Sequence, residues 1–580
     1  MRHRIAASLV AVLSTASVAS AARADDARVA ADPKGAPDPK ASVPGPAKVD
    51  DKPTERVGAK PASDGWLERY AVETGRIPPL VATHDFLQFS LHGEYELRFR
   101  AQTDLRLEPP VAADTAETRA LGLNKYLYHW LRLNPRLDIG DQLSFIGQID
   151  VPRGLFIGDL TNNVGEAQDA FDTYDWYDVH PRELYAEWRS PIGTFRLGQQ
   201  KSHWGQGILA NDGDHPQMFG DPNRGSLVER VLFATSPFGK GTPFLLLAAG
   251  DLVFEDRTAR LLDGDLAMQG VLGALYRLDW AEIGLYGTIR HQWASAQAID
   301  ELTPYDEYLT VGAIDLEAKI RGRVPGANGY AYLNGEAALL VGGTSFVRSA
   351  YGTVLDPTAE RDDEDILALG ASATAGFVHV GKNAKESWGD AVAELEFGYA
   401  SGDADPYDGS THRFTFDQNH HVGLVLFDDV MRWKSARSAT IAQDPRLVNR
   451  ANPGLQFLPS EGGVFGAMYL NPRFVVRPKR WADVKLGFVL AQAASDVVDP
   501  YQVGAKGNFA NYDGGDPTRR DLGLEIDTGF DFRIPVGTEL TRLELGAEGG
   551  VLFPGHAFDD AAARPMPTQF LVNTKLGMQF

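Results

Sequence analysis

The feature that most constrains the fold of this 580-residue chain is a period-two alternation of apolar and polar residues over long segments. The clearest segment is 86–101, whose two faces differ in character throughout. One face carries Leu87, Phe89, Leu91, Tyr95, Leu97, Phe99 and Ala101, and the other carries Gln88, Ser90, His92, Glu94, Glu96, Arg98 and Arg100. A strand of this length, apolar on one side and ionic on the other, is typical of a wall between lipid and water.

The same alternation recurs toward the C-terminus. The apolar faces are Ile314, Leu316, Ala318 and Ile320; Ala391, Ala393, Leu395, Phe397 and Tyr399; Leu522, Leu524, Ile526, Phe530 and Phe532; and Leu543, Leu545, Ala547 and Val551. In each segment charged residues occupy the intervening positions. Several independent segments therefore predict one type of strand.

Short and long connections between these segments alternate. The short ones are 139–141, 190–193, 236–243, 278–282, 322–329, 381–387, 477–480 and 534–539. This pattern predicts periplasmic turns and extracellular loops in an all-β, antiparallel, up-and-down transmembrane β-barrel of about 18 strands, within a range of 16–20. Both termini are then periplasmic. The segment 402–460 is either a long loop or an added hairpin.

Composition excludes several other classes. After the N-terminus no apolar run is long enough for a membrane-spanning helix, so any span must consist of strands. The chain has no Cys, which excludes disulfides and thiolate metal sites. A net charge of -22 without a basic block argues against nucleic-acid binding. No phosphate loop, zinc motif or dinucleotide fingerprint is present, so no cofactor is predicted.

The N-terminal region carries export signals. Residues 1–24 combine a basic start, an apolar stretch and an Ala22-Arg23-Ala24 cleavage site, which predicts a signal peptide. Residues 25–64 are rich in Pro and lack aromatics, which predicts a disordered periplasmic linker. Residues 65–85 form a short periplasmic segment in which Trp66, Leu67 and Tyr70 lie at helical spacing, and the barrel is predicted over 86–580.

The last segment, QFLVNTKLGMQF, alternates in the same way and ends on Phe580. It resembles the C-terminal strand of bacterial outer-membrane proteins. The resemblance implies that Phe580 is the signal read by the barrel-assembly machinery.

Two segments carry a family resemblance. GQQKSHWGQGILANDGD at 198–214 and ELEFGYASGDADPYDG at 394–409 are similar to outer-membrane barrels of the porin and alginate-export type. The alginate-export resemblance implies a polysaccharide path lined by Arg and Lys. Here the polar faces carry acidic and basic residues in nearly equal number, which departs from that pattern and disfavours an anionic polymer.

The polar faces supply the candidate pore-lining and constriction residues. They are Arg98, Arg100, Glu94, Glu96, Arg132, Arg189, Arg196, Lys201, Trp204, Glu394, Glu396, Arg473, Arg542 and Glu544. An equally strong alternative is that the charged members brace the wall as cross-strand ion pairs. Trp204 either stacks on a sugar inside a constriction loop or lies at the membrane interface as an ordinary strand-end aromatic.

Catalytic and metal-binding alternatives are weaker. A lipid-facing phospholipase needs a Ser beside His129, and the register places none there, so His129 is predicted to belong to an aromatic belt. His412, His420 and His421 lie near acidic residues without a specific protease spacing. Asp403, Asp405 and Asp408 offer oxygen ligands for calcium but do not follow an EF-hand, and a solvated acidic loop is the simpler interpretation.

The sequence therefore predicts a non-enzymatic outer-membrane channel that passes small hydrophilic solutes or saccharides. Two alternatives are a dedicated polysaccharide exporter and a surface interaction barrel with a blocked lumen. The predicted partners are outer-membrane lipid and lipopolysaccharide, the barrel-assembly machinery, and a solute or polysaccharide.

Overall fold

All the residues described by the computed structural model belong to one compact unit. The residues it describes are 80–84, 86–103, 105, 125–158, 178–215, 217–220, 225–239, 241–293, 308–345, 363–381, 389–443, 458–479, 481–537 and 541–580. The predicted signal peptide, the linker and the helix at Trp66 to Tyr70 lie outside these residues.

Eighteen long strands make up the wall. They are β2 (Leu87–Gln102), β3 (Lys125–Ile139), β4 (Leu143–Gly158), β5 (Asp178–Ser190), β6 (Gly193–Lys201), β7 (Leu227–Thr235), β8 (Phe244–Glu255), β9 (Leu266–Arg277), β10 (Ala281–Trp293), β11 (Tyr308–Arg323), β12 (Gly329–Thr344), β13 (Glu364–His379), β14 (Ala391–Ala400), β16 (Ala467–Lys479), β17 (Ala482–Ala493), β18 (Asp521–Pro535), β19 (Arg542–Pro554) and β20 (Gln569–Gln579). Two short strands, β1 (Leu80–His84) and β15 (Ser410–Thr411), are additions to this wall.

Each long strand pairs antiparallel with the next, and β2 pairs with β20, which closes the sheet into a barrel. The predicted strand number and the alternation of turns with long loops are confirmed. The two strands that flank each predicted turn pair antiparallel with each other.

The loop between β14 and β16 contains helical structure in its described part. After β15, a π-helical turn (Leu426–Met431) leads into α1 (Arg432–Gln443). The predicted alternative of an added hairpin is therefore wrong for the residues described. Helix α2 (Pro500–Lys506) follows β17, and single 3-10 turns occupy Leu261–Asp263 and His556–Phe558. No described helix has the length and hydrophobicity needed to cross a membrane.

The two faces of the wall follow the predicted register. Apolar side chains such as Leu272, Ile289 and Leu395 are exposed on the outer face. Charged side chains such as Glu96, Asp315 and Glu394 are buried on the inner face. A period of two thus separates an apolar exterior from a polar interior along the strands.

Leu522 departs from this register. It is 1% exposed and belongs to the hydrophobic core, whereas the alternation predicted it on the outer face. The pairing of β17 with β18 shifts register between Ala491 and Gln492, and Gly523 takes a φ of 110°. This β-bulge turns the first residues of β18 relative to the rest of the strand.

The closing seam joins the two ends of the barrel. The Gly93 N–H donates to the Phe580 carbonyl at 2.8 Å, and the Phe580 N–H donates to the Gly93 carbonyl at 2.8 Å. Between Gly93 and the start of β2, the same edge of β2 pairs with β1 instead of β20, with Leu80 opposite Leu91 and His84 opposite Leu87. The end of the predicted 65–85 segment is therefore a strand.

We predict that Gly93→Ala weakens the seam, because a Cβ at this position would lie 2.3 Å from the Phe580 ring. The expected loss is about 1–3 kcal/mol in the free energy of unfolding, measured by urea titration in lipid vesicles. Gly250→Ala in β8 is the control, since a Cβ there meets nothing within 4 Å. The cost should disappear in the Phe580→Ala background, and a cost that persists there would contradict this origin.

Candidate functional site

Predicted charges on β2 and β19, at the seam, are joined through Lys575 of β20 into one chain of ion pairs. Glu96 lies 2.8 Å from Arg98 and 2.6 Å from Lys575. Lys575 also lies 3.1 Å from Glu544, which pairs with Arg542 at 2.5 Å. The two contacts of Lys575 join neighbouring strands, whose inward residues lie side by side. Glu96 with Arg98, and Arg542 with Glu544, are inward residues two positions apart on one strand.

Two other parts of the wall repeat this arrangement. On β14 and β16, Arg473 lies 3.2 Å from Glu394 and 2.7 Å from Glu396. On β5 and β6, Glu187 lies 2.8 Å from Arg189 and 2.9 Å from Arg196. These contacts are ion pairs within the wall, as in the alternative in which the charges brace it. The pore-lining role of the same residues remains a prediction.

Hydration of the inner wall differs between its two ends. Near the short turns, the side chains of Arg136 and Arg196 are 38% and 40% exposed. Higher on the wall, those of Arg132 and Arg182 are only 8% and 2% exposed. Between β3 and β6, some inner side chains beside the turns are therefore open to solvent, and those higher on the wall are covered by other parts of the chain.

The first covering segment is the β6–β7 loop, residues 202–226, described over 202–215, 217–220 and 225–226. Its Asp214 lies 2.9 Å from Arg132 and 3.1 Å from Arg182, and it also pairs with Lys201. Burial opposes ionisation, but these three cations outweigh it and hold the pKa of Asp214 well below its usual range. Sequence reasoning singled out Arg132 and Lys201 but missed Asp214 and Arg182.

The same loop also contacts the wall at β12 and β13. The Gln206 N–H donates to Glu336, its Nε2 donates to the Ser372 carbonyl at 3.0 Å, and its Oε1 accepts from Thr374 at 2.8 Å. Trp204 is 6% exposed, with its ring 5.2 Å from that of Tyr286 on β10. A membrane-interface position for Trp204 is therefore wrong, because Tyr286 lies on the inner face.

A third set of contacts reaches β17 and β19. Lys485 Nζ donates to the Met218 carbonyl at 2.8 Å, and the Gly220 N–H donates to Glu548 at 3.3 Å. Together with Asp214 and Gln206, these contacts attach the loop to three separate sectors of the wall. A loop held in this way must cross the lumen.

The second covering segment is the loop between β14 and β16, residues 401–466, described over 401–443 and 458–466. Glu525 of β18 accepts hydrogen bonds from three successive backbone N–H groups, those of Leu424, Val425 and Leu426. Asp429 pairs with the predicted residue Arg100 at 2.5 Å. These contacts place the π-helical turn and its flanks against the inner wall.

A histidine of this loop contacts another predicted charge. His420 lies 2.9 Å from Glu396, which also accepts a hydrogen bond from the Tyr469 hydroxyl at 2.5 Å. His420 Nδ1 is 3.1 Å from the Gln206 carbonyl of the other loop. His412 is separate, with its Nδ1 3.0 Å from the Leu367 carbonyl. The structure therefore does not bring His412 and His420 together.

The calcium candidates lie in the same loop. Asp403, Asp405 and Asp408 accept backbone hydrogen bonds at 3.0–3.1 Å from residues 405, 407 and 410. Glu364 is 1% exposed beside them, and neither of its carboxylate oxygens has a hydrogen-bond partner among the described residues. Their ligand atoms do not form a compact group within 4.8 Å in the described chain, so calcium binding remains a prediction.

His129 follows its predicted register. It lies opposite Leu97, at a position whose side chain faces outward. Its Nδ1 is 3.2 Å from the Tyr95 hydroxyl. Tyr95 also faces outward, so the contact joins two aromatic residues on the same face of the wall.

Comparison with known proteins finds no matching family model and no matching curated protein. The alginate-export resemblance therefore gains no support. Solved structures that match include Pseudomonas aeruginosa OccK11 (OpdR), with 12% identity over 84% of this chain and 95% of that chain and a TM-score of 0.41. Acinetobacter baumannii OccAB1 matches with 10% identity over 84% and 96% of the chains and a TM-score of 0.43.

A third match is Pseudomonas aeruginosa OpdK with vanillate, with 11% identity over 84% of this chain and 98% of that chain and a TM-score of 0.42. All three TM-scores lie below 0.5.

Asp417 joins the two covering loops. Its N–H donates to the Ile208 carbonyl at 2.9 Å, and its carboxyl accepts from the Ser226 hydroxyl at 3.3 Å. Burial raises the pKa of Asp417 to about 7, although an Asn419 N–H at 2.9 Å favours the ionised form.

We predict a pH-dependent gain in stability for Asp417→Asn. A carboxyl whose pKa is raised on folding binds its proton more tightly in the folded state, so its contribution is favourable at low pH and is lost as pH rises through about 4 to 7. The variant should therefore gain unfolding temperature relative to wild type at pH 8 and much less at pH 4. Asp141→Asn in an exposed turn is the control, and an equal effect at both pH values would contradict the prediction.

Proposed function

We propose that this protein is an outer-membrane channel for small hydrophilic solutes or saccharides, constricted by loop 202–226. The observation that carries the proposal is the attachment of this loop to three sectors of a charged inner wall. Such an arrangement narrows a wide aqueous barrel to a selective passage.

The outer surface supports a membrane location. Large apolar side chains are exposed along the strands, which is costly in water and favourable against lipid. Near the short turns, Trp188 stacks on Phe195 with centroids 5.4 Å apart, and Phe195 lies 4.7 Å from Phe233. Trp280 and Trp481, 58% and 50% exposed, lie at two other turns. Aromatic rings at this level are typical of the interfacial girdle of outer-membrane barrels.

The pairing of charges supports an uncharged or weakly charged solute. Arg98, Arg473 and Arg542 all have acidic partners within 3.2 Å. Paired charges leave little net field to attract an anionic polymer, but their polar edges still bind hydroxyl groups. A polysaccharide exporter for acidic chains is therefore less well supported than a channel for small solutes.

The position of loop 401–466 disfavours a surface interaction barrel. A binding loop must be presented to solvent, whereas Phe414, Phe416, Leu426 and Phe427 are fully buried. Export by the signal peptide, contact with lipid and lipopolysaccharide, and assembly through Phe580 are parts of this proposal.

Planar-bilayer conductance tests the channel directly. Replacing 205–223 by a short Gly-Ser linker removes the contacts to β12, β13, β17 and β19, so the unitary conductance should rise several-fold. Replacing the exposed turn 324–328 in the same way is the control and should leave conductance unchanged. An absence of conductance in both the wild type and the shortened barrel would exclude a channel.

A single substitution tests the constriction more gently. Asp214→Asn removes the carboxylate shared by Arg132, Arg182 and Lys201, which leaves one additional positive charge at the loop. The reversal potential in a KCl gradient should therefore shift toward anion selectivity. Asp279→Asn, in an exposed turn, should not change it. If Asp214→Asn leaves the selectivity of a conducting channel unchanged, the permeating ions do not pass this cluster.

A further inference from the structure

We propose that His203, Asp212 and His215 form a binding site for a divalent transition-metal ion such as Zn²⁺. Each residue offers one ligand atom, and the three atoms all lie within 4.8 Å of one another. In the described part of the chain, no other group of three His, Asp or Glu residues is this compact. The site does not depend on what passes through the barrel.

The two imidazoles converge on one carboxylate. His215 Nδ1 lies 2.8 Å from Asp212 Oδ1, and His203 Nδ1 lies 3.8 Å from the same oxygen. The rings stack with centroids 3.5 Å apart and an interplanar angle of 15°. Two nitrogens and one oxygen on one side of a stacked pair supply three ligands to a metal ion with small side-chain movements.

A buried ring nitrogen of His203 is the second indication of a metal site. His203 Nδ1 is buried and has no hydrogen-bond partner among the described residues. A buried polar atom without a partner is destabilising, so such atoms are uncommon. A metal ion between the three residues would satisfy this nitrogen.

Hydrogen bonds within the loop and to the wall hold the ligands in place. His203 follows the end of β6, and the Trp204 N–H donates to the Ala210 carbonyl at 3.0 Å, which holds the two arms of the loop together. Arg182 donates to the Asp212 carbonyl at 2.6 Å, and the Asp214 N–H donates to Asp212 Oδ1 at 2.9 Å. Because the positions are fixed before binding, little conformational entropy is lost when the ion binds.

The donor set selects the class of ion. Imidazole with one carboxylate suits zinc, copper and nickel, whereas calcium and magnesium require more oxygen ligands. The side chains of His203 and His215 are 21% and 32% exposed, so an ion can reach the site from solvent. A bound ion would cross-link the two arms of the loop beside Asp214.

The test uses the full chain without a histidine tag, treated with a chelator and then titrated in detergent. Zn²⁺ is followed by calorimetry and Co²⁺ by its visible absorption, which reports imidazole coordination. Wild type should bind one equivalent of each ion. His203→Ala, His215→Ala and Asp212→Asn should each weaken binding by at least about tenfold.

His556→Ala is the matched control. His556 pairs with Asp559 at the same sequence separation as His215 and Asp212, with Nδ1 and Oδ2 3.0 Å apart. No second histidine joins that pair within the described metal-ligand groups. Removing His556 should therefore leave the affinity for Zn²⁺ unchanged.

Two results would overturn the proposal. One is an absence of saturable Zn²⁺ and Co²⁺ binding by folded wild type, and the other is wild-type affinity in both folded histidine variants. If an alanine variant fails to fold, as judged by heat modifiability and circular dichroism, His203→Gln and His215→Gln decide the question.

Discussion

The structure depends on one geometric constraint, which is that an eighteen-stranded barrel encloses more space than its inward side chains can fill. The inner wall must then be either hydrated or covered by another part of the chain. This barrel uses both solutions. Inner side chains such as Arg136 and Arg196 are exposed to solvent beside the short turns, and two inward loops cover the wall farther along the strands. The cost of burying charge explains why covered cations such as Arg100, Arg132 and Arg182 have acidic partners, since an unpaired buried ion loses on the order of several kcal/mol of solvation.

The partners come from two sources. Neighbouring strands supply some of them, as Lys575 does for Glu96 and Arg196 does for Glu187, and these pairs hold the wall in register. The loops supply the others, as Asp214 does for Arg182 and Asp429 does for Arg100. A charge on the wall thus fixes the position of a loop, and the same loop reduces the opening of the barrel. In the proposed channel, stability and selectivity would therefore depend on shared residues.

The wall could be predicted from the sequence because its rules are local. Alternation along 86–101 gives the face of each residue, and short turns between such segments give the strand pairing. The bulge at Gly523 was not predictable in this way, because the alternation continues through it while the backbone changes register.

The interior of the barrel was less predictable for a different reason. Trp204 could be singled out because it lies shortly after a strand, and Lys201 is the last residue of that strand. Asp214 and Arg182 could not, since they are 32 residues apart and their meeting depends on how the loop crosses the lumen. Glu525 gave no local sign that it would accept three backbone hydrogen bonds from residues about a hundred positions away.

The short strand β1 has a mechanical consequence. It occupies the part of the β2 edge that β20 leaves uncovered, and its first residue, Leu80, lies nearest to the closing seam while His84 lies nearest to the turn into β2. Tension on the preceding chain, directed toward the short turns, would load the hydrogen bonds of β1 one after another, beginning at Leu80. Two paired strands separate at low force when their hydrogen bonds are loaded one at a time. β1 would therefore detach from β2 at a force that leaves the seam between β2 and β20 closed.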